Sequence, residues 1–478
     1  MHYNTRLPLL LLSATLLLGL SNNTNAQTQH NIVLFLIDDL GWSDLACQGS
    51  SYYQTPHIDR LASQGVRFTD AYAACAVCTP TRAAIMTGKY PARILMTEWL
   101  PSGRWNPKAK LREGRFLRDL PREEFTLAEA LRAAGYRTGH FGKWHLGTET
   151  FGMPEHHGFD INVGGNPHGN PGNYFYPYNG TWKIPTTNQK ATWSVLKGGH
   201  PGEYLTDRLT DDAVNFIRQS QADEKPFFLY FPHYGVHTPI QAKEEVTAKY
   251  AAIPKIEQQG IPAYAAMVES IDDSVGKIQK TLEKLGLVDN TVVIFTSDNG
   301  GFWKATSNAP LRANKGAYYE GGIRVPLIIR WPGETRDGHV ERTPSTSSDL
   351  YPTCLTAAGL PLLPNQHQDG VDLSPLLDGQ GTIADRSLFW HYPHYNNHPS
   401  SVPSSVIRKG YWKLIQSYDP EGLELYNLNN DLAESTNLVS SRPAITAALM
   451  KELEAWKLSV GAEKMLPNPD YKSVPLKK

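Results

Sequence analysis

The stretch Asn31-Ile-Val-Leu-Phe-Leu-Ile37, closed by Asp38-Asp39, decides the fold. An apolar run of this length with no alternation reads as a strand buried on both faces. Similar runs recur along the chain. Thr291-Val-Val-Ile-Phe-Thr296 leads to Asp298-Asn299, and Phe227-Phe-Leu-Tyr-Phe231 leads to His233 and His237. Tyr136 to Phe141 leads to Lys143 and His145, and Val325-Pro-Leu-Ile-Ile329 is a further run. Helical patterns lie between them. Thr126-Leu-Ala-Glu129 is a capping box, with Leu127, Ala130, Leu131 and Ala134 on one face and Gly135 as a stop. Met267, Ile271, Val275, Ile278, Leu282 and Leu285 step by three or four residues to Gly286. Helices alternating with buried strands predict an α/β fold, a large central sheet covered by helices on both faces. Ligands of such sheets bind beyond the carboxyl ends of the strands. The polar residues just named fall at those ends.

The tail reads differently. Ser387 to Tyr392, Ser405 to Arg408, Tyr411 to Gln416 and Leu423 to Leu428 are short and separated by turns, and a helix follows over about Ala444 to Leu458. A small antiparallel sheet plus a helix is expected there. The predicted division is a leader over 1–26, a catalytic unit over 27–375 and a C-terminal subdomain over 376–478. Residues 150–205, rich in Gly, Pro, Asn and aromatics, read as a long surface excursion, a feature often tied to function.

Composition narrows the classes. Lys plus Arg is 46 and Asp plus Glu is 47, so the net charge of −1 offers no basis for nucleic-acid binding. Charged residues at 19% and hydrophobic ones at 40% suit a globular protein. Arg6 precedes the apolar segment Leu7 to Leu20, and Thr24-Asn25-Ala26 follows, which reads as an export signal cleaved after Ala26. The apolar segment is short for a membrane span. No Cys precedes Cys47, so no thiol near that site can carry a lipid. The expectation is an exported protein without a membrane anchor, periplasmic or secreted if its source is bacterial.

Chemistry enters at Cys78-Thr79-Pro80-Thr81-Arg82. Pro80 suits a first helical turn, and Ala83 to Thr87 continue it to Gly88. Cys78 then stands at a helix N-terminus, where unpaired N–H groups favour an anion. Arg82, four residues on, shares that face and can fork onto an oxyanion. A nucleophile facing a sulfate- or phosphate-like group fits. So do a Cys75–Cys78 redox pair and an inert buried thiol. Asp38, Asp39, Asp298 and Asn299 are hard oxygen donors at strand ends, a set suited to Ca²⁺ or Mg²⁺ more than to zinc. Either pair alone also reads as ordinary turn residues.

Cys78-Thr79-Pro80-Thr81-Arg82 with Thr87-Gly88 resembles the first signature of the type I sulfatases, in the alkaline phosphatase superfamily. Gly135-Tyr136-Arg137-Thr138-Gly139-His140-Phe141-Gly142-Lys143-Trp144-His145 resembles their second. The resemblance runs from Asn31 to the Leu425-Tyr426-Asn427-Leu428 segment. It implies an alkaline-phosphatase-like, mixed and mostly parallel sheet. It also implies that a formylglycine-generating enzyme converts Cys78 to formylglycine (3-oxoalanine), whose hydrate is the nucleophile. A Ca²⁺ ion, with Mg²⁺ the less favoured choice, would sit among Asp38, Asp39, Asp298, Asn299 and the converted Cys78. Lys143 would hold the hydrate and a sulfate oxygen. His145 would be the base that collapses the intermediate. His237 and Lys315 would bind sulfate and the bridging oxygen, with His237 as the acid for the leaving alcohol. The implied substrate is a sulfated saccharide, attacked at a chain end. Trp99, Trp105, Arg312, His391 and His394 are candidate substrate contacts. A disulfide between Cys75 and Cys78 would block the conversion, which is therefore expected before or during export. Cys47 and Cys354 have no assigned role. A phosphomonoester or phosphonate-ester hydrolase, or a non-catalytic relative that binds sulfated glycans, are the alternatives.

Overall fold

A computed structural model describes residue 1 and residues 29–100, 108–183, 190–256 and 259–472. The leader predicted over 1–26 therefore lies, beyond Met1, outside the described residues. The apolar runs form the middle of an eight-stranded sheet. Its order is His339–Glu341, Val66–Phe68, Leu327–Arg330, Thr291–Ser297, Asn31–Ile37, Phe227–Pro232, Arg137–Phe141 and Ile161–Val163. Five of its seven pairings are parallel and two antiparallel, so the sheet is mixed and mostly parallel.

Successive side chains of a strand point to opposite faces. Val33, Phe35 and Ile37 pack into one apolar cluster with Leu209, Phe216, Ile271 and Val275, from the helices Leu205–Ala222 and Pro262–Lys284. Ile32, Leu34 and Leu36 pack into a second cluster with Ile85, Leu131 and Leu355, from the helices Cys78–Thr87, Leu127–Ala133 and Leu350–Ala357. Burial on both faces is why the run lacks alternation. Truncating Phe35 to Ala would cost roughly 3–5 kcal/mol, because a close-packed interior relaxes little around the cavity.

Helix boundaries follow from local chemistry. The N–H of Glu129 donates to Thr126 Oγ1 (3.1 Å), and the N–H of Thr126 donates to Glu129 Oε2 (2.8 Å). Gly135 and Gly286 take φ of 90° and 68°, a left-handed backbone that terminates the preceding helices.

Register then sets the site. Ile37 pairs with Ser297 and Leu36 with Pro232, so three strands end at one level. The N–H of Asp38 donates to Gly235 O (3.0 Å), and that of Asp298 to Ile37 O (3.1 Å).

The C-terminal sheet is antiparallel throughout, in the order Ser387–Tyr392, Ser404–Lys409, Trp412–Tyr418, Glu421–Asn427. Ile407, Leu414 and Leu425 pack with Leu449, Leu453 and Trp456 of the helix Pro443–Ser459. Their neighbours Val406, Ile415 and Tyr426 pack with Tyr72, Val77 and Ile323. One face thus covers its own helix. The other covers the segment leading to Cys78. Among the described residues no helix is long and apolar enough to cross a membrane.

Candidate active site

Cys78 opens the helix Cys78–Thr87, which Gly88 ends in a left-handed conformation with φ 67°. Two threonines fix the approach to that helix. Thr81 Oγ1 accepts from the N–H of Cys75 (3.1 Å) and donates to Cys75 O (3.2 Å). Thr79 Oγ1 donates to His145 O (2.9 Å) and accepts from the N–H of Leu100 (3.1 Å). Arg82 Nη1 donates to Lys143 O (2.7 Å). The two sequence motifs are therefore tied together backbone to side chain. Sequence reading missed the parts played by Thr79 and Thr81.

Below Cys78 lies a buried charge cluster. Arg82 Nε and Nη2 both donate to Asp298 Oδ2 (2.9 and 2.7 Å). Lys143 Nζ donates to Asp38 Oδ2 (2.7 Å), and Lys315 Nζ to Asp39 Oδ1 (2.5 Å). Asn299 Nδ2 also donates to Asp39 Oδ1 (2.8 Å), and His237 Nε2 lies 3.7 Å from Asp39 Oδ2. Asp39 has φ 62°, a left-handed backbone that Asp tolerates better than most residues. Arg82 was expected to fork onto a substrate oxyanion. It is fully buried and forks onto Asp298 instead, because the helix turns that face toward the strand ends.

The cluster is incomplete. Asp38 Oδ1 and Asn299 Oδ1 are buried oxygens with no hydrogen-bond partner among the described residues. Arg82 Nη2 approaches Asp38 Oδ1 only to 3.8 Å. Asp38, Cys78 and Asp298 offer ligand atoms within 4.8 Å of one another, and so do Asp38, Asp39 and His237. Burial, with Asp298 and Asp39 beside it, pushes the Asp38 carboxyl well above the usual carboxylate range, and Lys143 and Arg82 do not offset this. Hard oxygen donors, two of them orphaned, fit a divalent cation such as Ca²⁺ or Mg²⁺.

The other groups have distinct electrostatics. Burial opposes the charge on Asp39, yet Lys315, His237 and Lys143 together hold its carboxyl well below the usual range. Burial likewise opposes the charge on Lys315, but Asp39 prevails and the ammonium is held firmly. Burial raises the Cys78 thiol against the pull of Lys143 and Lys315, so the unmodified side chain is no thiolate. Burial and Lys143 keep His145 neutral. Its Nε2 meets Leu100 O and its Nδ1 has no partner among the described residues, which places the ring proton on Nε2 and a free lone pair on Nδ1. Burial takes His237 down to about 3 against Asp39, and its Nδ1 lies 2.8 Å from Thr238 O.

Asp39, Cys78, His145, His237 and Lys315 line one cavity of about 420 Å³. Lys143, Asp38, Asp298 and Asn299 lie beneath it, all fully buried. Of the candidate substrate contacts, Trp99 lines the cavity. Trp105 lies outside the described residues. Arg312 does not line it: its guanidinium sits 3.7 Å from the Tyr319 ring centroid and bonds Tyr426 Oη and Glu434 O. His391 bonds Ser405 Oγ and Glu463 O, and His394 Nε2 bonds Thr97 Oγ1. Both are buried away from the cavity because the strand and loop that carry them turn these rings inward. The structure adds His168 and Trp193 from the predicted surface excursion, Phe302, Trp303 and Lys304 from the loop after Asn299, and Asn396 to His398 from the loop between the strands Ser387–Tyr392 and Ser404–Lys409. The composition of 150–205 was a usable signal for the first pair. All four Cys are free.

A family model described as "Sulfatase" matches residues 30–360. A second, described as "N-sulphoglucosamine sulphohydrolase, C-terminal", matches residues 313–459. A protein of Formosa agariphila named "Sulfatase" is 33% identical, the match covering 95% of this chain and 93% of that one. Human arylsulfatase A is 33% identical, with 93% and 90% covered. The crystal structure of Ps i-CgsB in complex with k-i-k-neocarrahexaose superposes with a TM-score of 0.74 at 31% identity, covering 93% of this chain and 94% of that one.

Proposed function

This chain belongs to the sulfatase family and is a sulfatase, and from that premise we propose that it removes sulfate from a sulfated saccharide at the cavity over Cys78. The observation that carries this reading is the convergence of Cys78, Lys315, His145 and His237 on one cavity above a carboxylate cluster with two orphaned oxygens. The solved relative whose complex holds a carrahexaose supports the saccharide.

Asp38, Asp39, Asp298 and Asn299 would hold one Ca²⁺ ion. When bound, it supplies Lewis-acid polarisation of the sulfuryl oxygens. Conversion of the Cys78 side chain to formylglycine would supply a hydrated aldehyde, one hydroxyl to attack sulfur and a second to expel sulfate, so that one hard step becomes two. The chain's own groups do the rest. Lys315 keeps its proton beside Asp39 and meets the sulfuryl oxygens as a fixed positive charge. His237, in its imidazolium form, gives the leaving alcohol a proton from Nε2. The negative charge of the bound sulfate ester, added to that of Asp39, favours that form. His145, with its Nδ1 lone pair free, takes the proton of the second hydroxyl. Lys143 and Arg82 act from below by fixing Asp38 and Asp298. An export signal over 1–26 and the division at residue 375 belong to the same proposal.

The test is sulfate release from a panel of defined sulfated saccharides, with an aryl phosphate in parallel. Release of sulfate from at least one saccharide, with little phosphate released, is the expected result. Phosphate released faster than sulfate from every compound would refute the reading.

A further inference from the structure

Above the floor the cavity has walls that the reaction does not use. The chain leaves Asp298-Asn299 through two tightly held glycines. The N–H of Gly300 donates to Gly322 O (3.0 Å), and that of Gly301 to Asn308 Oδ1 (3.2 Å). A Cβ on Gly300 would fall 1.9 Å from Gly321 O, so only glycine fits. The N–H of Lys315 donates to Gly301 O (3.1 Å), and those of Ala305 and Thr306 to Phe302 O (2.8 and 3.1 Å). The Phe302-Trp303-Lys304 turn is thus anchored to the backbone of the floor and preorganised above it.

This turn presents unusual chemistry. Trp303 is 43% exposed, a large ring facing the cavity mouth. Lys304 Nζ lies 4.9 Å from the Trp303 ring centroid and makes no ion pair among the described residues. Phe302 stands edge-on to His398, with centroids 5.9 Å apart. Across the cavity His168 stacks flat on Trp193 at 4.0 Å. Among the described residues the lining contains one carboxylate, Asp39, which is deep and already paired with Lys315. A rim that, among the described residues, offers an open aromatic face and an uncompensated cation and no acid is complementary to a sugar ring that stacks by its C–H face and bears a negative charge.

We propose that the Trp303–Lys304 turn is a second sugar subsite, in which the residue next to the sulfated one lies on Trp303 and its own anionic group pairs with Lys304. This rests on the sulfatase reading of the floor. It names the substrate class more narrowly: a saccharide with anionic groups on two adjacent sugars, the second being a sulfate or a carboxylate.

The test compares kcat/KM for the intact protein, Trp303→Ala and Lys304→Gln on four sulfate esters. These are an aryl sulfate, a monosulfated disaccharide with a neutral neighbour, one with a uronate neighbour, and a disulfated disaccharide. In Trp303→Ala the ratio of disaccharide to aryl sulfate kcat/KM falls about tenfold on all three disaccharides. In Lys304→Gln the ratio falls about threefold, as an exposed ion pair would give, and only where the neighbour is anionic. Whether the loss is larger on the uronate or on the disulfate identifies the second anion. Ratios unchanged in both variants, or a Lys304→Gln loss equal on the neutral disaccharide, would overturn the subsite. So would an intact protein that cleaves the aryl sulfate and no disaccharide. An intact protein inactive on all four sulfate esters instead brings down the reading of the floor, and the subsite with it.

Discussion

Among the described residues two largely buried clusters set three carboxylates against three cations, and only one of them is closed. The first joins the four-stranded antiparallel sheet to segments beside the central sheet: Asp70, Glu320 and Glu434 against Arg324, Arg408 and Lys413. There Arg324 and Arg408 take one oxygen each of Asp70 (2.9 and 2.7 Å). Lys413 bridges Glu320 Oε1 (2.9 Å) and Glu434 Oε1 (2.8 Å). Tyr72 Oη and Arg324 donate to Glu320 Oε2, and the N–H of Glu320 donates to Glu434 Oε2. Every carboxylate oxygen has a donor or a cationic nitrogen within 3.2 Å, although Glu434 Oε1 meets Lys413 as an ion pair and accepts no hydrogen bond among the described residues. The second cluster has Asp38, Asp39 and Asp298 against Arg82, Lys143 and Lys315, the same formal count, yet Asp38 Oδ1 is orphaned and the assembly opens on a cavity. Equal charge therefore does not mean equal purpose. Burying ions is expensive, and a cluster left unsatisfied is stable only if something else completes it.

The contrast predicts different failures. Lys315→Ala should lower kcat by about 10³-fold with the far-UV spectrum unchanged, because it removes a fixed charge facing the reacting group. A loss below tenfold would move Lys315 out of the chemistry. Lys413→Met should do the reverse. It strands two buried carboxylates and should lower unfolding free energy by about 3–5 kcal/mol in denaturant titrations, with the rate per folded molecule changed less than about twofold. Next in size is the metal response. Calcium added to chelated protein at about 100 times its Kd should raise stability by about 2.7 kcal/mol. Thermal melts should show this gain in the intact protein and in Lys413→Met alike, and not in Asp38→Asn. A gain retained by Asp38→Asn would place the ion elsewhere.

The smallest effect concerns pH. Burial opposes the charge on Glu320, but Lys413, Arg324 and Arg408 lower it from 4.5 to about 2. Burial, with Glu320 nearby, raises Glu434 from 4.5 to about 7 despite Lys413. A depressed group contributes stability above its unfolded value that is lost as pH falls through the folded one. A raised carboxyl contributes below its unfolded value and loses that as pH rises through the folded one. The joint is therefore firmest near pH 4.5 and weakens as pH falls toward 2 and as it rises toward 7. Glu434→Gln, which mimics the protonated acid, should flatten the alkaline limb of a melting-temperature profile and leave the acid limb. An unchanged alkaline limb would assign that titration to another group.

Much of the open cluster was legible in the sequence, and almost none of the closed one was. Asp38 and Asp298 each follow a strand buried on both faces, and such runs announce themselves by lacking alternation. In-register pairing of Ile37 with Ser297 then brings the acids together. Cys78, Arg82, Lys143 and His145 sat in local motifs. By contrast, Asp70, Arg324, Arg408, Lys413 and Glu434 are scattered singly, and each reads as a surface charge until the antiparallel sheet packs on the segments that hold Asp70 and Arg324. Arg82 was visible but its direction was not, since spacing gives the helix face and not what that face meets. The tail strands were readable as short segments separated by turns, and Val406 beside Ile407 and Leu414 beside Ile415 pack on opposite faces. The rim escaped notice because His168, Trp303 and His398 come from three loops without periodicity. His391 and His394 shared the composition of a binding segment and proved to be buried packing groups.

The most direct measurement couples mass to rate at Cys78. The protein is produced with graded amounts of a formylglycine-generating enzyme, the fraction of the Cys78 peptide carrying CHO in place of CH₂SH is read by mass spectrometry, and sulfate release is measured on the same samples. The account predicts a rate proportional to the converted fraction and passing through the origin. A full rate from protein whose Cys78 is still a thiol would contradict it.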